Sequence, residues 1–138
     1  MRRRKFLGLA IGAAAAWPLG ASAQSNRVRR VGVILPATPD DKEFQIWMAA
    51  FMQALAQAGW TIGDNTRIDI HWASPNAAGI RRPAGELAAL APDVVLAAGT
   101  SAAGSMLQAT RTVPVVFATV VDPVGAGLID SLSRPGGN

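Results

Sequence analysis

The chain has 138 residues, half of them hydrophobic, with 13 basic residues, 9 acidic residues and no cysteine. The absence of cysteine excludes disulfides, thiolate nucleophiles and cysteine metal ligands together. Arg2, Arg3, Arg4 and Lys5 account for the formal net charge of +4, and from Gln24 onward nine basic residues balance nine acidic ones. A balanced chain makes nucleic acid and anionic lipid poor partners.

The amino end reads as an export signal. Arg3-Arg4-Lys5 is a basic head, an apolar stretch runs from Phe6 to Leu19, and Ala21-Ser22-Ala23 puts small residues at the cleavage positions. A signal peptide over 1–23, cut near Ala23, sends the product to the periplasm, and its only partner is the export machinery. Paired arginines before Phe6-Leu7, with a weakly hydrophobic middle padded by Ala13 to Ala16, favour the twin-arginine route over the general secretory one. The apolar run is shorter than the ~18 residues of a membrane anchor. About 115 residues remain, enough for one domain with a modest core.

Gln24 to Arg30 is a polar, basic tether. Val31 to Leu35 is apolar throughout and ends at Pro36, the pattern of a strand buried on both faces. Asp40 as N-cap with Glu43 three residues on suggests a capping box. Phe44, Trp47, Met48, Phe51 and Leu55 then recur at helical spacing as a core stripe, closed by Gly59. Arg67 to Trp72 alternates polar and apolar residues, which suits an edge strand. A second helix is expected from about Ala77 to Leu90, with Ile80, Ala84, Leu87 and Ala88 inward and Pro83 in its early turns. Val94 to Ala98 is a third strand, followed by a helix with Ala103, Met106, Leu107 and Thr110 on one side. Val113 to Phe117 is a fourth strand, with Pro114 at its start. A short helix carrying Val124, Leu128 and Leu132 is predicted after Asp122-Pro123.

Four strand–helix repeats with right-handed crossovers make an α/β fold, a parallel sheet with helices on both faces. The alternating second strand belongs at the edge, giving the order 2-1-3-4. Ligands of such sheets bind outside the carboxyl ends of the strands, near the switch point between strands one and three.

Three loops converge there: Pro36-Ala37-Thr38, Gly99-Thr100-Ser101-Ala102, and Thr119 to Pro123. Gly99 allows close backbone approach, and the helix start behind it offers amide donors to a carboxylate. Thr100 or Ser101 can cap that helix, bind a ligand, or both. Asp122 can cap the following turn or take a ligand amine. Enzyme signatures fail on spacing. Gly99 to Gly104 is one residue too long for a nucleophile elbow, and the only histidine, His71, precedes it. The same glycines lack the lysine of a phosphate-binding loop, since Ser105-Met106 stands in its place. His71 reads as a solvated surface residue. No catalytic set, metal site or cofactor is expected.

Several segments resemble ABC-transporter substrate-binding proteins of the tryptophan-binding-like group, a kind of type I periplasmic binding protein. They are Trp17-Pro18 at the end of the signal's apolar run, Val31 to Leu35, Ala58-Gly59-Trp60 with Gly63-Asp64-Asn65, Asp122-Pro123-Val124, Gly127-Leu128-Ile129, Ser131-Leu132 and Arg134-Pro135-Gly136-Gly137-Asn138. The resemblance implies a Rossmann-like first lobe over 31–138 of a two-lobed protein that closes on a small molecule and docks on an ABC permease. By position it implies ligand contacts from Pro36, Ala37 and Thr38, from Gly99, Thr100 and Ser101, and from Thr119 and Asp122, with an amino acid as the ligand. A second lobe and a hinge would follow Asn138, so the chain reads as a fragment or a truncated lobe. An exported sensory module for a receptor shares this fold. An α/β enzyme would need a convergent catalytic set absent here, and the export signal argues against a cytoplasmic repressor's ligand domain.

Overall fold

The computed structural model describes residues 27–138; the expected signal peptide (1–23) and the first half of the expected tether lie outside them. Seven elements follow in order: β1 (Arg29–Leu35), α1 (Lys42–Gln57), β2 (Thr66–Trp72), α2 (Ala77–Ala89), β3 (Val94–Ala98), α3 (Gly99–Ala109) and β4 (Val115–Ala118). The strands are all parallel and lie in the order β2-β1-β3-β4, as expected from the alternation in β2.

Strand periodicity divides the core into two layers. Ile34, Val95 and Ala97 point to one face and are buried with Ile80, Ala84 and Leu87 of α2 and Ala102, Ala103 and Met106 of α3. Val31, Val33 and Leu35 point to the other, against Met48 of α1, with Phe44, Phe51, Ile68, Ile70 and Trp72 half-buried around them. Gly32 interrupts the apolar run because α2 comes down on it. A Cβ there would lie 2.8 Å from the Leu87 Cδ1 atom.

Local signals set most boundaries. Asp41 caps α1, accepting from the Glu43 and Phe44 amides at 3.0 and 3.2 Å. The expected cap, Asp40, lies one residue too early, because the helix starts at Lys42 and Asp41 takes the extended position before it. Gly59 turns left-handed (φ 87°), and the Trp60 amide donates to the Leu55 carbonyl at 2.9 Å, which closes the helix. Asn76 caps α2 through the Gly79 amide at 2.7 Å. The helix runs through Pro83 unbroken.

Three expectations need correction. The tether ends two residues early, since Arg29 and Arg30 already pair with Thr66 and Arg67 as strand. β4 begins at Val115 rather than Val113 and runs on through Ala118. The helix predicted after Pro123 is absent among the described residues. One turn stands there, with the Ala126 amide on the Asp122 carbonyl and the Leu128 amide on the Pro123 carbonyl, both at 2.9 Å. Leu128 packs on the core, but Val124 and Leu132 are 43% and 80% exposed. Without an apolar stripe to bury, and with Gly127 left-handed at φ 68°, a helix has nothing to sustain it.

Candidate functional site

Parallel pairing brings the three loops together at one crest. Ile34 faces Ala97, and Ala98 faces Ala118, so the chain leaves β1, β3 and β4 side by side. Pro36 and Gly99 adjoin: the Pro36 Cγ lies 3.7 Å from where a Gly99 Cβ would stand. Gly99 itself has φ 80°, a conformation that L side chains strain to adopt.

Ala98 is the N-cap of α3 and makes no side-chain cap bond. Neither Thr100 nor Ser101 caps the helix, because both already lie inside its first turn. The Gly99, Thr100 and Ser101 amides therefore have no intrahelical acceptor, and no loop carbonyl or side chain takes them among the described residues. Thr100 is exposed and Ser101 half-buried. The positive end of α3 is thus open to the crest.

The flanking loops are more occupied. Ala37 is buried, and the Thr38 carbonyl accepts the Asp41 amide at 3.0 Å. The Thr38 hydroxyl, helped by Asp40's own backbone, holds the Asp40 carboxyl below its ordinary range. Thr119 is left-handed (φ 56°), and its hydroxyl donates to the Ala118 carbonyl at 2.7 Å. Non-glycine residues there store strain of order 1–3 kcal/mol and cluster at functional sites. Asp122 is exposed and accepts the Gly125 amide at 2.8 Å. Of its two sequence-stated roles the geometry therefore displays capping, of a turn rather than a helix.

A hollow of about 330 Å³ opens beside these loops, lined by Leu35, Trp47, Met48, Phe51, Ala98 and Thr119 among others. The sequence reading assigns Trp47 to the core stripe, yet it is 41% exposed. Its spacing from Phe51 carried the signal, but the side of α1 it occupies depends on tertiary placement.

Charge gathers at the opposite end of the sheet. Asp93 accepts from the Arg30 amide at 2.8 Å and from Arg27 and Arg29, and Asp69 pairs with Arg30. His71 is half-buried in β2. Among the described residues no cluster of potential ligands that could hold a metal ion occurs, and no helix is long and apolar enough to cross a membrane.

Known proteins are similar to this chain in sequence and fold. A tyrosine-binding protein of Clostridioides difficile (strain R20291) is 35% identical over 88 residues, which is 64% of this chain and 26% of that protein. An ABC domain from Streptococcus pneumonia, solved in complex with L-Trp, superposes with a TM-score of 0.72 at 27% identity, over 80% of this chain and 36% of that one. A conserved domain protein of Vibrio cholerae gives 0.75 at 29% identity, over 81% and 37%. The ligand-free, open structure of a Clostridium difficile substrate-binding protein with adhesive properties gives 0.72 at 27%, over 80% and 37%. The chain thus spans about a quarter of that curated relative and little over a third of those solved chains. The family model described as ABC transporter substrate binding protein matches residues 40–138, and the chain belongs to that family.

Proposed function

We propose that this chain is the first lobe of an exported solute-binding protein that captures an amino acid in the periplasm and delivers it to an ABC permease at the inner membrane. The observation that carries the reading is the open first turn of α3 at the crest of the sheet, in a family of substrate-binding proteins. The Gly99, Thr100 and Ser101 amides hold the ligand's carboxylate, where the helix end favours negative charge. Pro36, Ala37 and Thr38 wall one side, Thr119 the other, and Asp122 takes the ammonium once its cap to Gly125 loosens. The chemistry is binding and release, with no catalytic residue and no cofactor. Closure follows from a second lobe shutting over the crest and shifting the population toward a closed form. The leader over 1–23 directs export by the twin-arginine route and is removed near Ala23.

A single lobe encloses about half of such a ligand, whereas pockets bury about 70–90% of theirs. The chain alone therefore binds amino acids more weakly than micromolar, and micromolar binding by calorimetry contradicts that. The transport reading is tested in cells. Deleting the gene is expected to slow uptake of at least one radiolabelled amino acid, with uptake restored by the gene in trans. A deletion strain that takes up all twenty at the parental rate would refute it.

A further inference from the structure

We propose that the leader folds back on the domain it precedes: its apolar run, from Phe6 to Trp17, seats in the groove beside α1 over β3 and β4 until export removes it. This goes beyond the transport reading and rests on the leader named there, not on the ligand. Leader and folded domain coexist in a precursor that takes the twin-arginine route, so the groove is available to it before cleavage.

The groove lies on the less covered side of the sheet. β3 is a central strand and apolar throughout, a pattern that goes with cover on both faces. Val95 and Ala97 are wholly buried on one face, yet Val94 and Leu96 on the other are only half-buried. Val116, which pairs with Leu96, is 55% exposed. Three hollows of about 260, 170 and 330 Å³ run end to end along α1. The first two share Val31, Leu55 and Val94, and the last two share Phe51 and Leu96. No ionisable residue lines the upper two. A charged occupant gives up hydration there without gaining a partner, so the groove fits a long apolar one.

The leader matches it in position, length and charge. The chain enters β1 at Arg29, which also lines the lowest hollow, so the leader joins the domain at that end of the groove. Nine residues from Pro18 to Asn26, with Gly20, Ser22, Ser25 and Asn26 among them, are enough to reverse the chain. Pro18 confines a helix to the residues before it. Twelve residues from Phe6 to Trp17, coiled as a helix, rise about 18 Å. The five residues of β3 extend over about 17 Å. In this direction the basic head, Arg2 to Lys5, arrives at the upper end beside the start of α1. Asp40 and Glu43 are exposed there and Asp41 half-buried, with Lys42 the one cation among them. Opposite charges thus meet where the apolar contact ends. The cover lies on the face of the sheet and leaves the outer backbone groups of β4 free.

The test uses the whole 138-residue chain. It has no cysteine, so Ala14→Cys takes a single nitroxide in the leader. With the spin-labelled, isotope-labelled chain diluted in excess unlabelled chain, the methyl signals of Leu55, Leu96 and Val116 should be lost, and should return when the nitroxide is reduced. The Met106 methyl, buried on the other face, should keep most of its intensity and reports that the domain is folded. Ile11→Asp, a change within the leader, should restore the groove signals by bringing a charge to apolar walls. Full intensity at Leu96 and Val116 in the labelled chain overturns the proposal, and so does a loss that persists in Ile11→Asp. Equal loss with the nitroxide on one copy and the isotope on another also overturns it, by making a second copy the occupant. The leader reading is judged apart from this, by whether the protein is cut near Ala23 in cells, so the two can fail separately.

Discussion

Asp93 gathers more donors than any other described carboxylate, and it sits at the end of the sheet away from the candidate site. The Arg30 amide is the main reason its carboxyl titrates below the ordinary range; Arg27 and Arg29 add to this, and partial burial opposes it. Asp69 is lowered in the same direction, chiefly by the Arg30 guanidinium. A carboxylate depressed in the folded state stabilises the fold above its unfolded value of about 3.9 and loses that contribution as pH falls through and below it. Urea midpoints should therefore drop between pH 6 and pH 3, and Asp93→Asn combined with Asp69→Asn should flatten that dependence; an unchanged slope contradicts the assignment. The sequence displays these arginines only as a basic cluster after the leader, because their partners lie 39 to 66 residues away. At the crest, Ser101→Pro removes an amide that has no intrahelical acceptor, from a first turn that tolerates proline. It should weaken amino-acid binding about tenfold with little change in stability, the size expected for a bond to a charged group. Unchanged affinity in a titration counts against the carboxylate seat.

Elements were legible where a local rule and the core agreed. The buried face of α2 was read correctly as Ile80, Ala84 and Leu87 because 3.6-residue spacing and the sheet beneath demand the same side chains. The cap of α1 slipped from Asp40 to its neighbour, since two adjacent aspartates offer the same acceptor and only the start of the helix at Lys42 separates them. The missing last helix failed for a different reason. Val124, Leu128 and Leu132 have helical spacing, but only Leu128 has a core to meet. Gly32 was visible as a glycine inside a strand, without its cause, the Leu87 side chain above it. Leu87→Ala should cost about 2–5 kcal/mol by opening a cavity, and Gly32→Ala about 1–3 kcal/mol by overpacking. Together they should cost less than the two single losses combined, because the added methyl moves into the vacated space. Strict additivity in denaturant unfolding would show that the two do not share a packing contact.

On the scale of the whole molecule, the sheet is clad unequally. Two helices cover the Ile34 face, whereas among the described residues α1 alone packs on the other, against β1 with β2 and β3 beside it. Val116 on β4 is consequently 55% exposed, on an edge strand whose outer backbone groups invite pairing. Val116→Lys should lower the concentration-dependent self-association of the chain, read as mass by light scattering; the same association in both proteins would place the contact elsewhere. Strand order was readable because β2 alternates while β1 and β3 do not. Which apolar positions stay exposed rather than enter the core was not readable, because that depends on what covers each face. The proposed site and the fold meet at the carboxyl crest, where β1, β3 and β4 hand over to their loops. The most direct measurement is an amide shift map of the chain titrated with L-tryptophan. It should show saturable shifts concentrated at Ala37 and Thr38, at Gly99 to Ser101 and at Thr119 to Asp122. Shifts centred on Arg29, Arg30 and Asp93, or no saturable shift at all, would contradict the assignment of this crest as the ligand's seat.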